Sequence, residues 1–150
     1  MVFLVHHADA VAPEIDAQRP LSVAGRLHAE RLAASAAARG VRPSAIWHSG
    51  KLRARQTADA FWKACNPLAD MAAARGLQPT DPPEMIAAQL SAQPGDVMLV
   101  GHMPHLDRLH EFLLRKPAGE PRTPFPQHGL VAMENWETAW REVWRVANGE

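Results

Sequence analysis

A single cysteine, a net charge of zero and the lack of any long apolar run set the first limits on this 150-residue chain. Cys65 alone excludes an internal disulfide and fits a reducing compartment. It follows Phe61, Trp62 and Ala64 in a segment of helical composition and reads as packing rather than as a nucleophile. Lys plus Arg and Asp plus Glu number 16 each, so neither nucleic acid nor an acidic membrane is expected as a general partner. Any anion must then be held by a local cluster. No stretch approaches the roughly 20 apolar residues that span a bilayer. The first residues carry neither a basic flank nor a small-residue cleavage site, so a soluble, cytoplasmic protein is expected. Repeats and low-complexity segments are also missing, and one domain over residues 1–150 is expected, with enough chain to bury a core unaided.

What the chain does have begins at once. Val2 to Val5 is an apolar run of strand length, and it turns polar at His6, His7 and Asp9. Histidines are thereby delivered to the C-terminal end of a strand, the edge at which open α/β sheets bind ligands. Taken alone, two histidines there are as readily plain loop residues. Val11 to Pro20, with Pro13, Glu14, Asp16 and Pro20, reads as a surface loop near that edge. Ser22 caps a helix in which Val23, Leu27, Leu32 and the alanines to Ala38 recur at helical spacing before Gly40 ends it. Arg26, His28, Glu30 and Arg31 form its expected wet face.

Ala45 to Trp47 reads as a second strand closed by a turn at His48, Ser49 and Gly50. The helix predicted over Lys51 to Lys63 carries Lys51, Arg53 and Arg55 in its first turn, where the helix dipole repels cations. A broken local rule marks a site, and free N–H groups with arginines suit a phosphate. The plainer alternative pairs these arginines with acids such as Asp59. Asn66 and Pro67 restart helical spacing through Leu68, Met71 and Ala74 until Gly76, with Leu77 to Pro79 as a brief edge strand. Asp81 caps a helix with Pro82 at its first position, running through Met85, Ile86 and Leu90 to Ala92. Val97 to Val100 is a buried strand ending at Gly101 and His102. Met103 and Pro104 open a helix with Leu106, Leu109, Phe112 and Leu113 on one face and His105, Asp107, Arg108 and Glu111 on others. A proline-rich loop over Lys116 to Gln127 leads to two late strands, Leu130 to Glu134 and Trp140 to Val146, as an antiparallel edge. Trp136, Trp140 and Trp144 read as packing or a partner surface.

This order of elements predicts an α/β protein, a three-layer α/β/α sandwich with a mostly parallel mixed sheet. In it the ends of the first strand and the Val97 strand, and the helix start after the second strand, face one crevice. That collects His7, Arg53 and His102. A neutral imidazole held on one nitrogen attacks phosphorus with the other. A guanidinium gives planar, permanent charge to the equatorial phosphoryl oxygens, and a second histidine adds a donor from the other side. Neither metal nor cofactor is then required.

Four motifs in order give the chain a family likeness: Phe3-Leu4-Val5-His6-His7-Ala8-Asp9-Ala10; Arg19-Pro20-Leu21-Ser22 with Gly25-Arg26; Ser49 with Arg53-Ala54-Arg55-Gln56-Thr57-Ala58; and Val100-Gly101-His102-Met103-Pro104. Together they resemble the histidine phosphatase superfamily, in particular its SixA-like phosphohistidine phosphatase branch, over nearly the whole chain. The resemblance implies a phosphoglycerate mutase-like fold and transient phosphorylation of His7. Arg53 and His102 would grip the phosphoryl group, and the substrate would be a phosphorylated small molecule or a phosphohistidine protein. It also exposes a departure: the family has arginine before the nucleophile, where this chain has His6, a shorter group whose charge depends on pH. His6 as a weaker phosphate ligand, Arg55 or Arg19 swinging in, and reduced catalysis are the open outcomes. Asp9, Glu14, Asp16 and Glu84 remain candidates for a general acid. Two rivals stand beside the phosphatase: a non-catalytic phosphate or phosphoprotein-binding module, and a metal-dependent hydrolase with His6, His7, Asp9 and His102 as ligands.

Overall fold

The computed structural model describes residues 1–115, 120–137 and 139–147. Its elements are β1 (Val2–His6), α1 (Val23–Ala38), β2 (Ala45–His48), α2 (Leu52–Cys65), β3 (Asp70–Ala73), α3 (Pro83–Ala92), β4 (Val97–Gly101), α4 (His105–Leu114), β5 (Leu130–Trp136) and β6 (Ala139–Val146). The six strands form one sheet in the order β3-β2-β4-β1-β5-β6. β1 to β4 pair in parallel, while β5 runs antiparallel to β1 and β6 antiparallel to β5.

Alternation along the strands feeds two cores. Phe3, Val5, Ile46, Met98 and Val100 face α1 and α2, where they meet Leu32, Ala33, Ala54, Ala58 and Phe61. Val2, Leu4, Val97, Leu99 and Val131 face α3 and α4, against Ile86, Leu90, Leu106, Leu109 and Leu113. The result is the expected three-layer sandwich. β1 and β4 are central and buried along their whole length, so their ends are held still on both faces. Among the described residues no helix is long and apolar enough to cross a membrane.

Several expectations are corrected. Residues after Pro67 form a turn and then β3, not a helix, and Leu77 to Pro79 is not a strand. Asn66 Oδ1 accepts from Leu68 N while its Nδ2 donates to the Pro43 carbonyl, which turns the chain and sets Asp70 beside Ala45. Pairing with the open edge of β2 thus outweighs the helical preference of Ala72, Ala73 and Ala74. Asp81 does not cap α3; its carboxylate accepts from Gln78 N, and Pro82 stands at the cap. On α1, Val23 and Leu27 are exposed, and the buried face is Gly25, Ala29, Leu32, Ala33 and Ala36. His105, expected off the apolar face, is fully buried, and Phe112, expected on it, is exposed. Ser22 does cap α1, accepting from Gly25 N at 3.0 Å. Cys65 is buried, with its thiol pushed up to about 11 by desolvation. Trp144 packs on Phe3 with the Arg39 guanidinium over its ring. The loop expected from Lys116 lies partly outside the described residues.

Candidate active site

The crevice forms where β1, β4 and β2 end. His6 lies in register with Gly101, and His7 N donates to the Gly101 carbonyl at 3.1 Å, so the strand ends bring His7 and His102 side by side. Their ring centroids are 5.0 Å apart. His102 Nε2 meets Ser49 Oγ at 2.6 Å, just beyond β2. Ser49 Oγ also accepts from Lys51 N at 3.3 Å, where the chain enters α2. Arg53 follows in the first turn of that helix, near enough to lower the proton affinity of His6, His7 and His102. Its Nε is buried without a hydrogen-bond partner, as is His102 Nδ1. The alternative in which these arginines are bound up with Asp59 does not describe Arg53, because Asp59 pairs with Lys63.

Backbone groups select the tautomers. His7 Nδ1 lies 2.7 Å from the Ala8 carbonyl, so Nδ1 carries the proton and Nε2 the lone pair. His6 Nδ1 accepts from His128 N at 2.8 Å, which leaves its proton on Nε2. His128 Nδ1 lies 2.6 Å from the His7 carbonyl and donates to it. Burial favours the neutral rings of His7 and His102: desolvation, and then the Arg53 charge, holds His7 near a pKa of about 4, and desolvation, then His7 and Arg53, holds His102 near about 3. His6 is lowered to about 2, mainly by desolvation and then by His7. Desolvation, and then Arg19, lowers the Arg53 pKa as well.

The flanking motif residues hold this geometry. Ala8 N donates to Thr57 Oγ1, whose hydroxyl donates to the Arg53 carbonyl, tying the segment after β1 to α2. Leu21 N donates to Gln56 Oε1 at 2.7 Å. Gly25 passes so close to the same segment that a Cβ on it would lie 2.0 Å from the Asp9 carbonyl oxygen. Asp9 itself accepts from the Ser22 hydroxyl at 2.7 Å and has its place in that junction.

The residues expected from sequence separate into two groups. His6, His7, Arg53 and His102 come together. The candidate acids do not join them: Asp9 is engaged with Ser22, Asp16 accepts from Gln18 N in an exposed turn with Glu14, and Glu84 lines a surface cavity with Ser91, Phe112 and Trp140. Of the spare arginines, Arg19 acts electrostatically on both His7 and Arg53 while its Nε donates to the Val11 carbonyl. Arg55 instead lines a groove between α1 and α2 with Arg26, Glu30 and Lys63. The ligand set His6, His7, Asp9 and His102 is not the one the fold assembles. Ring nitrogens of His6, His7 and His128 lie within 4.8 Å of one another. His128 escaped sequence reasoning. The signal was its place just before β5: a strand antiparallel to β1 starts where β1 ends.

The fold is shared with solved structures. One named as the SixA phosphohistidine phosphatase of Agrobacterium tumefaciens is 30% identical, with a TM-score of 0.79 over 97% of this chain and 96% of that one. The chain belongs to the SixA-like histidine phosphatases. A protein histidine phosphatase SixA complexed with tungstate superposes with a TM-score of 0.85 at 22% identity, over 98% of this chain and 96% of that one. A SixA phosphohistidine phosphatase structure from Nakamurella multipartitia gives 0.76 at 19% identity, over 99% and 96%. No protein-family model and no curated protein matches the sequence. In this histidine phosphatase the crevice at the ends of β1 and β4 is therefore the candidate active site, with His6 at the position preceding the expected nucleophile.

Proposed function

We propose that this phosphatase hydrolyses a phosphoramidate or phosphomonoester, with protein phosphohistidine the favoured substrate, through a phosphohistidine formed on His7. The single observation that carries the reading is the juxtaposition of a His7 ring fixed by the Ala8 carbonyl with His102 and the unpaired Arg53. Nε2 of His7 attacks phosphorus in line with the leaving group. Arg53 neutralises charge on the equatorial oxygens, and His102 and the Nε2–H of His6 donate to the same oxygens. Water then releases phosphate. Tungstate bound to a related SixA protein supports an oxyanion site. The engagement of Asp9 by Ser22 and the surface positions of Asp16 and Glu84 favour a phosphoramidate over an alkyl ester, since a protonated phosphoramidate nitrogen already leaves readily. No metal is needed for these steps, and cytoplasmic phosphoproteins are the natural partners.

Incubation with a phosphohistidine peptide and an alkyl phosphate provides the test. Wild type should release phosphate faster from the peptide and carry acid-labile label that His7→Ala lacks; label without His7 would overturn the assignment. The loss of the family arginine favours one second reading, a binding module, which predicts tight phosphate binding with no label on His7. A metal hydrolase reading has the His6, His7 and His128 nitrogens in its favour. Against it, the His128 amide occupies His6 Nδ1, and Arg53 puts positive charge beside the cation. Activity that survives chelation and stops with vanadate excludes it.

A further inference from the structure

His128 has no task in the steps above, yet it is built into the crevice. Its ring stacks on His6 at a centroid distance of 4.7 Å and tilts toward His7 at 5.9 Å. The residue sits at φ 53°, a left-handed conformation uncommon for residues other than glycine. Three contacts hold it there: its N donates to His6 Nδ1, its Nδ1 to the His7 carbonyl, and its own carbonyl accepts from His28 Nε2 at 2.9 Å. The segment leading to it is fastened in turn. Arg122 binds both carboxylate oxygens of Asp107, at 2.9 and 2.7 Å, and Arg145 donates to the Pro124 carbonyl at 2.8 Å.

This placement has a chemical consequence. With Nδ1 committed as a donor to the His7 carbonyl, a neutral His128 keeps its lone pair on Nε2. His6 has the opposite tautomer and offers only a proton. His102, with Ser49 on its Nε2, is assigned above to the phosphoryl oxygens as a donor, and the four carboxylates considered above lie elsewhere. The His7 and His128 rings stand with centroids 5.9 Å apart, and one nitrogen of each lies within 4.8 Å of the other. Two neighbouring imidazoles therefore keep a lone pair, His7 to attack phosphorus and His128 in the ring next to it.

We propose that His128 is a further catalytic residue, the general base for hydrolysis of the phosphohistidine at residue 7. The proposal rests on His7 being the nucleophile, as read above. In this step the water oxygen forms a bond to phosphorus, and one water proton passes to His128 Nε2. The P–N bond breaks with its electron pair returning to His7 Nε2, and His128 then gives its proton to solvent. His6 and His128 thus divide one job in two, His6 donating to the phosphoryl oxygens and His128 receiving the proton of the attacking water.

The test compares decay of isolated phosphoenzyme in wild type and His128→Asn. Asparagine tolerates the left-handed backbone and retains the amide that fixes His6, but it offers no base. The variant should take up label at His7 and lose it about 100-fold more slowly, the scale of general base catalysis. Added imidazole should restore part of the rate. Equal decay in the two proteins overturns the proposal. A variant that takes no label also overturns it, because His128 would then act before the phosphoenzyme forms. If wild type itself takes no label, the reading of His7 fails and this one falls with it, a result distinct from the other two.

Discussion

The two walls of the crevice solve the same electrostatic problem with different chemistry. One wall, from β2, β4 and the start of α2, offers Ser49, Arg53 and His102, with a guanidinium whose charge is permanent. The other, from the end of β1 and the loop before β5, offers His6 and His128, stacked imidazoles in fixed and opposite tautomers. The first wall supplies charge, and the second supplies directed dipoles whose strength depends on staying neutral and dry. On the proposed reading, an oxyanion held between them would owe its affinity mainly to the first wall and its orientation to both.

The sharpest way to break that asymmetry is to remove its charge. Arg53→Ala should lower kcat/KM on an aryl phosphate by about 1,000-fold, equivalent to about 4 kcal/mol, with Arg53→Lys recovering only part because an ammonium cannot bridge two oxygens. A loss under tenfold would show that Arg19, which also acts on His7, already carries the charge.

The next effect concerns protons. Desolvation and the Arg53 charge lower His7 to about 4, so its ring stays neutral at pH 5, where an ordinary imidazole of pKa 6.5 is protonated. Histidine NMR resonances should place its midpoint near 4. The sign for stability follows: each folded-state pKa is depressed, so the unfolded chain binds more protons below pH 6.5. The stabilising contribution is complete above 6.5. It falls as pH drops below 6.5 and the unfolded chain takes up protons that the folded rings refuse, and the fall ends for each ring at its folded-state pKa, His7 near about 4, His102 near about 3 and His6 near about 2. Urea midpoints should accordingly drop between pH 7 and pH 5, and a flat profile would contradict the burial of these rings.

The same two walls explain what sequence could and could not disclose. Arg53, Gln56 and Thr57 stand on one helix, and their spacing is a local signature of a positive helix start. His7 and His102 follow apolar runs that can only be buried strands. The second wall has no such signature, because His128 meets His6 across 122 residues of chain and only the sheet order brings them together. The stretch after Pro67 was misleading for a related reason: its alanines favour a helix until an unpaired strand edge claims them. His105 was misplaced because its polarity outweighed its position; its ring is buried with both nitrogens unpartnered, an outcome no pattern of spacing signals.

A third prediction sharpens the comparison by moving the floor rather than the walls. Gly25→Ala drives a methyl into the Asp9 carbonyl, where the start of α1 seats the segment that carries His7. The backbone must separate, at about 1–3 kcal/mol, the scale of overpacking. The thermal midpoint should fall by several degrees with kcat reduced, because the Thr57 bond to Ala8 N is strained on the His7 side. An unchanged midpoint would mean that α1 is free to shift without disturbing the segment.

The smallest effect asks whether the imidazole wall can be turned back into a charged one. Position 6 is 6% exposed, and its ring is sandwiched between the His7 edge and the His128 face. An arginine there loses the His128 amide bond and finds its path to the crevice filled by the stacked ring. His6→Arg alone should leave the affinity for inorganic phosphate nearly unchanged. In the double variant His6→Arg with His128→Gly, glycine accepts the φ of 53° and vacates the space, so the guanidinium can reach the anion. Phosphate should then bind about tenfold more tightly by calorimetry, or about 1.4 kcal/mol. Equal affinities in the single and double variants would show that His128 does not set the identity of residue 6. A gain confined to the double variant would mean that the two histidines are one unit, each occupying the place the other's replacement would need.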